Sequence, residues 1–151
     1  MTEVPEPMAL VIDGANVVGS VPDGWWRDRA GAAERLRDRL EHLEMPSSAP
    51  GADGEEPSAG LVRPLISLVV EGRARDIAET GGVRVVRAPA AGDDEIVAEV
   101  RRRRAEGGTV LAVTNDRELR ARIAEAGGEV RRVGWLRSLL DARDGTGNPA
   151  C

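Results

Sequence analysis

The chain has 151 residues, 41% of them hydrophobic and 31% charged, with a formal net charge of -5; this describes one globular domain with a modest but sufficient core. No apolar run nears the roughly 20 residues that a bilayer span requires, and the acidic, proline-containing stretch from Thr2 to Pro7 is unlike a signal peptide. Cys151 is the only cysteine, which excludes an intrachain disulfide and a cysteine-based metal site and leads us to expect a cytoplasmic protein.

Residues 1–8 are expected to be flexible and residues 9–142 to form the single domain. Its first segment, Ala9 to Ile12, is a short run of β-formers with no polar face, as in a strand covered on both sides by helices. Asp13 falls where this strand ends, Gly14 lets the backbone turn, and Asn16 can reach back to the same edge. Val21 to Trp26 reads as a loop. Asp28 can cap a helix running to about Glu44, with Ala32, Leu36, Leu40 and Leu43 at helical spacing. His42, the only histidine, suits the helix C-terminus better than catalysis.

Residues 45–60 are rich in Pro, Ser, Gly and acids and read as a mobile loop within the domain. Leu65 to Val70 is a second apolar strand, ending at Glu71-Gly72. Arg73 to Glu79 suggests a short helix, and Val83, Val85 and Val86 a third strand closing before Pro89. Gly92-Asp93-Asp94-Glu95 opens a helix whose apolar face is Ile96, Val97 and Val100; acids in a first turn also suit the helix dipole. Thr109 to Val113 is a fourth strand, followed at once by Thr114-Asn115-Asp116. A helix through Leu119 and Ile123 stops at Gly127-Gly128, Glu129 to Val133 reads as a last strand, and Trp135 to Ala142 as a terminal helix. Residues 143–151 read as a flexible tail. Alternating strands and helices imply an α/β fold: a three-layer α/β/α sandwich around a mainly parallel sheet.

In such a sheet, ligands bind outside the carboxyl ends of the strands. Asp13, Glu71 and Asp116 each follow a strand, and Asp93 and Asp94 start a helix at the same rim. Each acid alone can be a helix cap or a solvated charge. Together, without basic partners, they would repel unless a cation lay between them, and Mg²⁺ or Mn²⁺ suits an all-oxygen site. Such a site can hydrolyse a phosphodiester without lysine, cysteine or histidine.

Val-Ile-Asp-Gly-Ala-Asn-Val, Gly-Asp-Asp-Glu-Ile and Val-Thr-Asn-Asp-Arg-Glu-Leu, in this order and spacing between Ala9 and Leu140, resemble the NYN domains of the PIN-like nuclease superfamily, especially the YacP-like branch. The resemblance implies a PIN-like fold and a metal-dependent ribonuclease acting on RNA, with the ribosome as one setting. It implies that Asp13, Asp93 or Asp94, and Asp116 hold the metal, with Glu71 as a further ligand, while Asn16, Thr114 and Asn115 orient ligands or water.

Arg117 and Arg120 follow the acidic rim and can grip phosphate. Trp25 or Trp26 can stack bases or pack, and Arg101 to Arg104 can meet an RNA backbone or serve the helix C-terminus. Gly14-Ala15-Asn16-Val17-Val18-Gly19 is one residue from a dinucleotide fingerprint, but Asn16 replaces the glycine that admits pyrophosphate. A P-loop is excluded, because all 21 basic residues are arginine. A nucleotide pyrophosphohydrolase or other small phosphoesterase, and an RNA- or ribosome-binding module with little catalysis, are the competing readings. Monomer and homodimer are both open.

Overall fold

The computed structural model describes residues 8–20, 27–46, 61–71, 77–89 and 92–146. Five strands form the central sheet: β1 (Met8–Asp13), β4 (Leu65–Val70), β5 (Val83–Arg87), β6 (Thr109–Val113) and β7 (Glu129–Arg131). Their order across the sheet is β5-β4-β1-β6-β7, and every neighbouring pair is parallel. The two outward directions of the chain therefore diverge between β1 and β6, the switch point at which the strand ends leave a crevice.

The alternation of side chains along β1 explains why both faces are covered. Leu10 and Ile12 join Leu68, Val70, Val85 and Val113 under α1 (Gly14–Gly19), α2 (Arg29–Leu40) and α5 (Val133–Thr146). Ala9 and Val11 turn the other way and meet Ile96, Val97 and Val100 of α3 (Gly92–Ala105) and Leu119 and Ile123 of α4 (Arg117–Glu125). The result is the expected α/β/α arrangement. Fully burying a Leu or Ile contributes about 2 kcal/mol, so the two apolar layers hold the sheet from both sides. No helix among the described residues is long and apolar enough to cross a membrane.

Local chemistry accounts for the departures from expectation. The turn after Asp13 is a short helix, α1, and it lies so close to β4 that a Cβ at Gly14 would sit 2.6 Å from the Val69 carbonyl oxygen. Helix α2 is capped by Asp28, which accepts from the Gly31 N–H at 2.9 Å, but it stops at Leu40 rather than Glu44. There the Glu41 carboxylate accepts from the Thr80 hydroxyl and, at 3.2 Å, from the Gly82 N–H, while Leu43 still reaches the core.

Residues 45–60 were expected as one loop, yet β2 (Met45–Pro46) pairs antiparallel with β3 (Leu61–Val62); residues 47–60 lie outside the described part. The expected helix from Arg73 to Glu79 is not found over Ile77 to Glu79. Arg87 and Arg37 bond the carbonyls of Ile77 and Ala78, at 2.7 and 2.9 Å, which takes those acceptors from any helical ladder. Residues 72–76 lie outside the described part. Strand β7 ends at Arg131 instead of Val133, because the Val133 N–H donates to the Asn115 side chain at 3.0 Å and opens α5. The backbone of α5 continues to Thr146, beyond the expected end at Ala142.

Candidate active site

The carboxyl ends of β1 and β6 are tied together by one continuous set of hydrogen bonds. Asp13 terminates β1 and is only 9% exposed. Its Oδ1 accepts from the Asn16 N–H at 3.3 Å, which caps α1, and its Oδ2 accepts from the Thr114 hydroxyl at 2.9 Å. Thr114 is fully buried, and its Oγ1 in turn accepts from the Asp116 N–H at 3.1 Å. Asp13 is thus both a cap and a buried carboxylate at the switch point; the two readings of that residue describe one geometry.

A second relay runs beside the first. The Val133 N–H donates to Asn115 Oδ1, and the Asn115 N–H donates at 3.2 Å to Asn16 Oδ1. Asn16 and Asn115 therefore spend their side-chain oxygens on holding α1, the β6 loop and the start of α5 in register. Asp116 uses Oδ1 to cap α4, accepting from Glu118 and Leu119 at 2.9 and 3.1 Å. Its Oδ2 has no hydrogen-bond partner among the described residues.

Glu71 follows β4, and its Oε2 accepts from the Gly92 N–H at 2.6 Å. This bond fixes the first turn of α3 against the end of β4 and so sets the place of Asp93. Asp93 makes no hydrogen bond or ion pair among the described residues.

The electrostatics show which acids share a site. The Asp13 carboxyl is raised above its usual pKa of 3.8, chiefly by burial and further by the charges of Asp93 and Glu71, against the bonds from Thr114 and Asn16. Asp93 is raised too, first by burial and then by Asp116, with Glu71 and Asp94 adding and Arg122 opposing. Asp93 hence lies within the fields of Glu71 and Asp116, and Asp13 within those of Asp93 and Glu71, acids brought there by β1, β4, α3 and the β6–α4 loop. Asp94 is placed differently: its side chain is 86% exposed and bonds Arg122 at 2.7 Å.

Among the described residues no three of these acids close around a common point as their side chains stand. The donor chemistry nevertheless fits a hard divalent cation. Such an ion takes carboxylate oxygens, keeps several waters and needs only one or two direct protein ligands. Oxygens without hydrogen bonds on Glu71, Asp93 and Asp116 are available to it.

Arginines divide into two groups. Arg102 and Arg103 turn to Glu99, and Arg104 bonds the Gly108 carbonyl at 2.8 Å, so three of the four arginines from Arg101 to Arg104 serve the fold. Arg117 and Arg120 are exposed beside Asn115 and line one basin with Arg132. Arg132 escaped the sequence reading, although it directly follows β7 just as the acids follow their strands. Trp25 and Trp26 lie outside the described residues. Trp135 packs against the core, with the Arg131 guanidinium 5.9 Å from its ring centroid.

No protein-family model matches the chain, and no curated protein matches it by sequence. Among solved structures the chain is similar to Rae1 (YacP) from Bacillus subtilis, with a TM-score of 0.62, 16% identity, and coverage of 91% of this chain and 78% of that one. The W164L mutant of the same protein gives a TM-score of 0.64 at the same 16% identity and the same coverage, 91% and 78%. At this identity the likeness is one of fold.

Proposed function

We propose that this chain is a metal-dependent ribonuclease of the PIN-like, YacP-like kind, hydrolysing RNA phosphodiester bonds at the acidic rim between β1 and β6. The observation that carries the reading is the convergence of Asp13, Glu71, Asp93 and Asp116 from four segments, with burial and mutual repulsion raising Asp13 and Asp93. A fold spends stability to hold like charges together, and such perturbed groups cluster at functional sites. The likeness of the fold to YacP and the three sequence motifs support the same reading.

Asp13, Glu71, Asp93 and Asp116 would hold Mg²⁺ or Mn²⁺, directly or through water. When bound, such a cation would lower the pKa of a coordinated water and offset negative charge on the phosphate. The chain's own residues do the rest. Thr114 fixes both Asp13 and the backbone of Asp116, so the acids keep their geometry as a substrate enters. The Asn16–Asn115 relay holds the floor of the crevice. No lysine, cysteine or histidine is needed to accept or donate the proton, because solvent reaches the rim at Asp93 and Asp116.

Labelled single-stranded RNA, incubated with Mn²⁺, Mg²⁺ or EDTA beside the Asp13→Asn variant, tests the proposal. Cleavage that requires both the metal and Asp13 is expected. Failure to cleave any RNA, with RNA binding indifferent to EDTA, overturns it in favour of a non-catalytic binding module.

A further inference from the structure

A second charged feature adjoins the acidic rim and has the opposite sign. Asn115, Arg117, Arg120 and Arg132 line an open basin of about 290 Å³. Its walls come from the β6–α4 loop, the first turn of α4 and the link between β7 and α5. All three arginines are exposed, and none forms an ion pair among the described residues. Several guanidinium groups elsewhere are matched: Arg37 with Asp38, Arg102 and Arg103 with Glu99, and Arg122 with Asp94. In a chain of net charge -5, three cations facing one hollow with no carboxylate in its lining leave a local charge to be balanced from outside.

We propose that this basin is a phosphate subsite, with Arg132 a substrate-contacting residue beside Arg117 and Arg120. Arginine's planar fork meets phosphate oxygens two at a time, and a polar, open hollow suits a phosphate better than a base. Asn115 belongs to both features, since it lines the basin and its N–H bonds Asn16 at the rim. A strand whose scissile phosphate lies at Asp13 and Asp116 thus places a neighbouring phosphate among the arginines. The assignment rests on the ribonuclease reading for the rim, but not for the basin itself. The ligand is a phosphate group, whether a diester within the RNA strand or a monoester at its end.

The test is the fluorescence anisotropy of single-stranded RNA, with a 5′-hydroxyl or a 5′-phosphate, titrated with wild type, Arg132→Glu and Arg117→Glu in EDTA. Arg63→Glu, exposed just before β4 at the end of the sheet opposite the rim, reports the effect of net charge alone. Each basin reversal is expected to weaken binding about tenfold or more, the scale of a lost charge-assisted hydrogen bond. Arg63→Glu should stay near wild type. Arg132→Ala should flatten the plot of log affinity against log salt by about 0.7, the slope for one single-strand phosphate contact.

Tighter binding of the 5′-phosphate RNA, lost in Arg132→Glu, identifies the monoester; equal binding of both RNAs, weakened alike, identifies the backbone. Wild-type affinity in Arg132→Glu and Arg117→Glu, or an equal loss in Arg63→Glu, overturns the subsite. Because binding is read without metal, weakened binding in a protein that never cleaves would retain the basin and reject the nuclease. Metal-dependent cleavage with binding insensitive to the arginines would do the reverse.

Discussion

Two acids of this molecule are almost equally hidden and behave oppositely. Asp13 at the end of β1 is 9% exposed and Glu99 on α3 is 4% exposed. Burial alone raises both. Around Glu99 the fold answers with cations: Arg102 donates to both oxygens at 2.9 Å, Arg103 approaches to 3.4 Å and Arg84 to 3.8 Å, and the Ser67 hydroxyl donates as well. Its carboxyl is held below the usual 4.5, the Arg102 and Ser67 bonds and the charges of Arg102 and Arg103 outweighing desolvation. Around Asp13 the fold supplies two neutral donors and the further acids Glu71 and Asp93, and the carboxyl stays high. A buried acid that is neutralised belongs to the architecture, whereas one set among other acids is a candidate for function.

The largest expected effect comes from removing the charge that the fold leaves unbalanced. Asp13→Asn should lower cleavage by about a hundredfold or more, the scale of a lost reacting-centre group. Its stability should move the other way. Between the unfolded pKa of about 3.8 and the higher folded value, the native state binds more protons. Stability therefore falls as pH rises through that window and stays reduced above it. At pH 7 in EDTA the Asn variant should melt at or above the wild-type temperature. Added Mn²⁺ should stabilise the wild type by mass action and leave the variant unchanged. A variant that melts well below wild type would make Asp13 another Glu99.

Glu99→Gln should give the mirror image. Removing one partner of a buried ion pair costs about 3 kcal/mol, because Arg102, Arg103 and Arg84 are left facing one another. The stabilisation from a lowered pKa is present above the unfolded value and lost as pH falls through the folded one. The gap between wild type and variant in urea should therefore be wide at pH 7 and close in acid. Cleavage below the melting transition should persist, since Glu99 lies six residues beyond Asp93 along α3.

This contrast was only half legible in the sequence. The strands could be read because β1, β4 and β6 are buried on both faces and carry continuous apolar runs, and the rim acids because each follows such a run. Glu99 was invisible, its partners being brought by β4, β5 and the next turn of its own helix. The trace it left was Ser67, the lone polar residue in Leu-Ile-Ser-Leu-Val-Val, which a strand covered on both faces tolerates only with a partner. The irregular segment Ile77 to Thr80 was equally hidden, since Arg37 and Arg87 hold it from distant positions. Asp93 and Asp94 are neighbours in sequence with the same chemistry, and burial together with the bond from Arg122 to Asp94 gives them different surroundings.

A smaller effect probes how the rim is held. Thr114→Val preserves shape but removes the hydroxyl that joins Asp13 to the Asp116 backbone. It leaves the Asp116 N–H without its partner, at a cost of about 2 kcal/mol, and Thr114→Ser should restore most of it. Because the Thr114 bond lowers the Asp13 carboxyl, its loss lifts that carboxyl further. The valine variant should then lose stability over a wider span of pH as pH rises from the acid side. An unchanged pH dependence would mean that the Thr114 bond does not help to set the Asp13 carboxyl.

The smallest stability change separates the two adjoining acids of α3. Arg122 and Asp94 are 44% and 86% exposed, and an exposed pair contributes well under about 1 kcal/mol. Asp94→Asn should accordingly unfold within about 0.5 kcal/mol of wild type and cleave nearly as well. Asp93→Asn should also fold normally, since its carboxylate bonds nothing among the described residues, but it should weaken the response to Mn²⁺ by roughly tenfold or more, the scale of a disturbed metal ligand shell. If Asp94→Asn instead loses the metal response while Asp93→Asn keeps it, the Arg122 bond must open when the cation enters. The unbalanced cluster would then include the one acid that the metal-free fold has already paired.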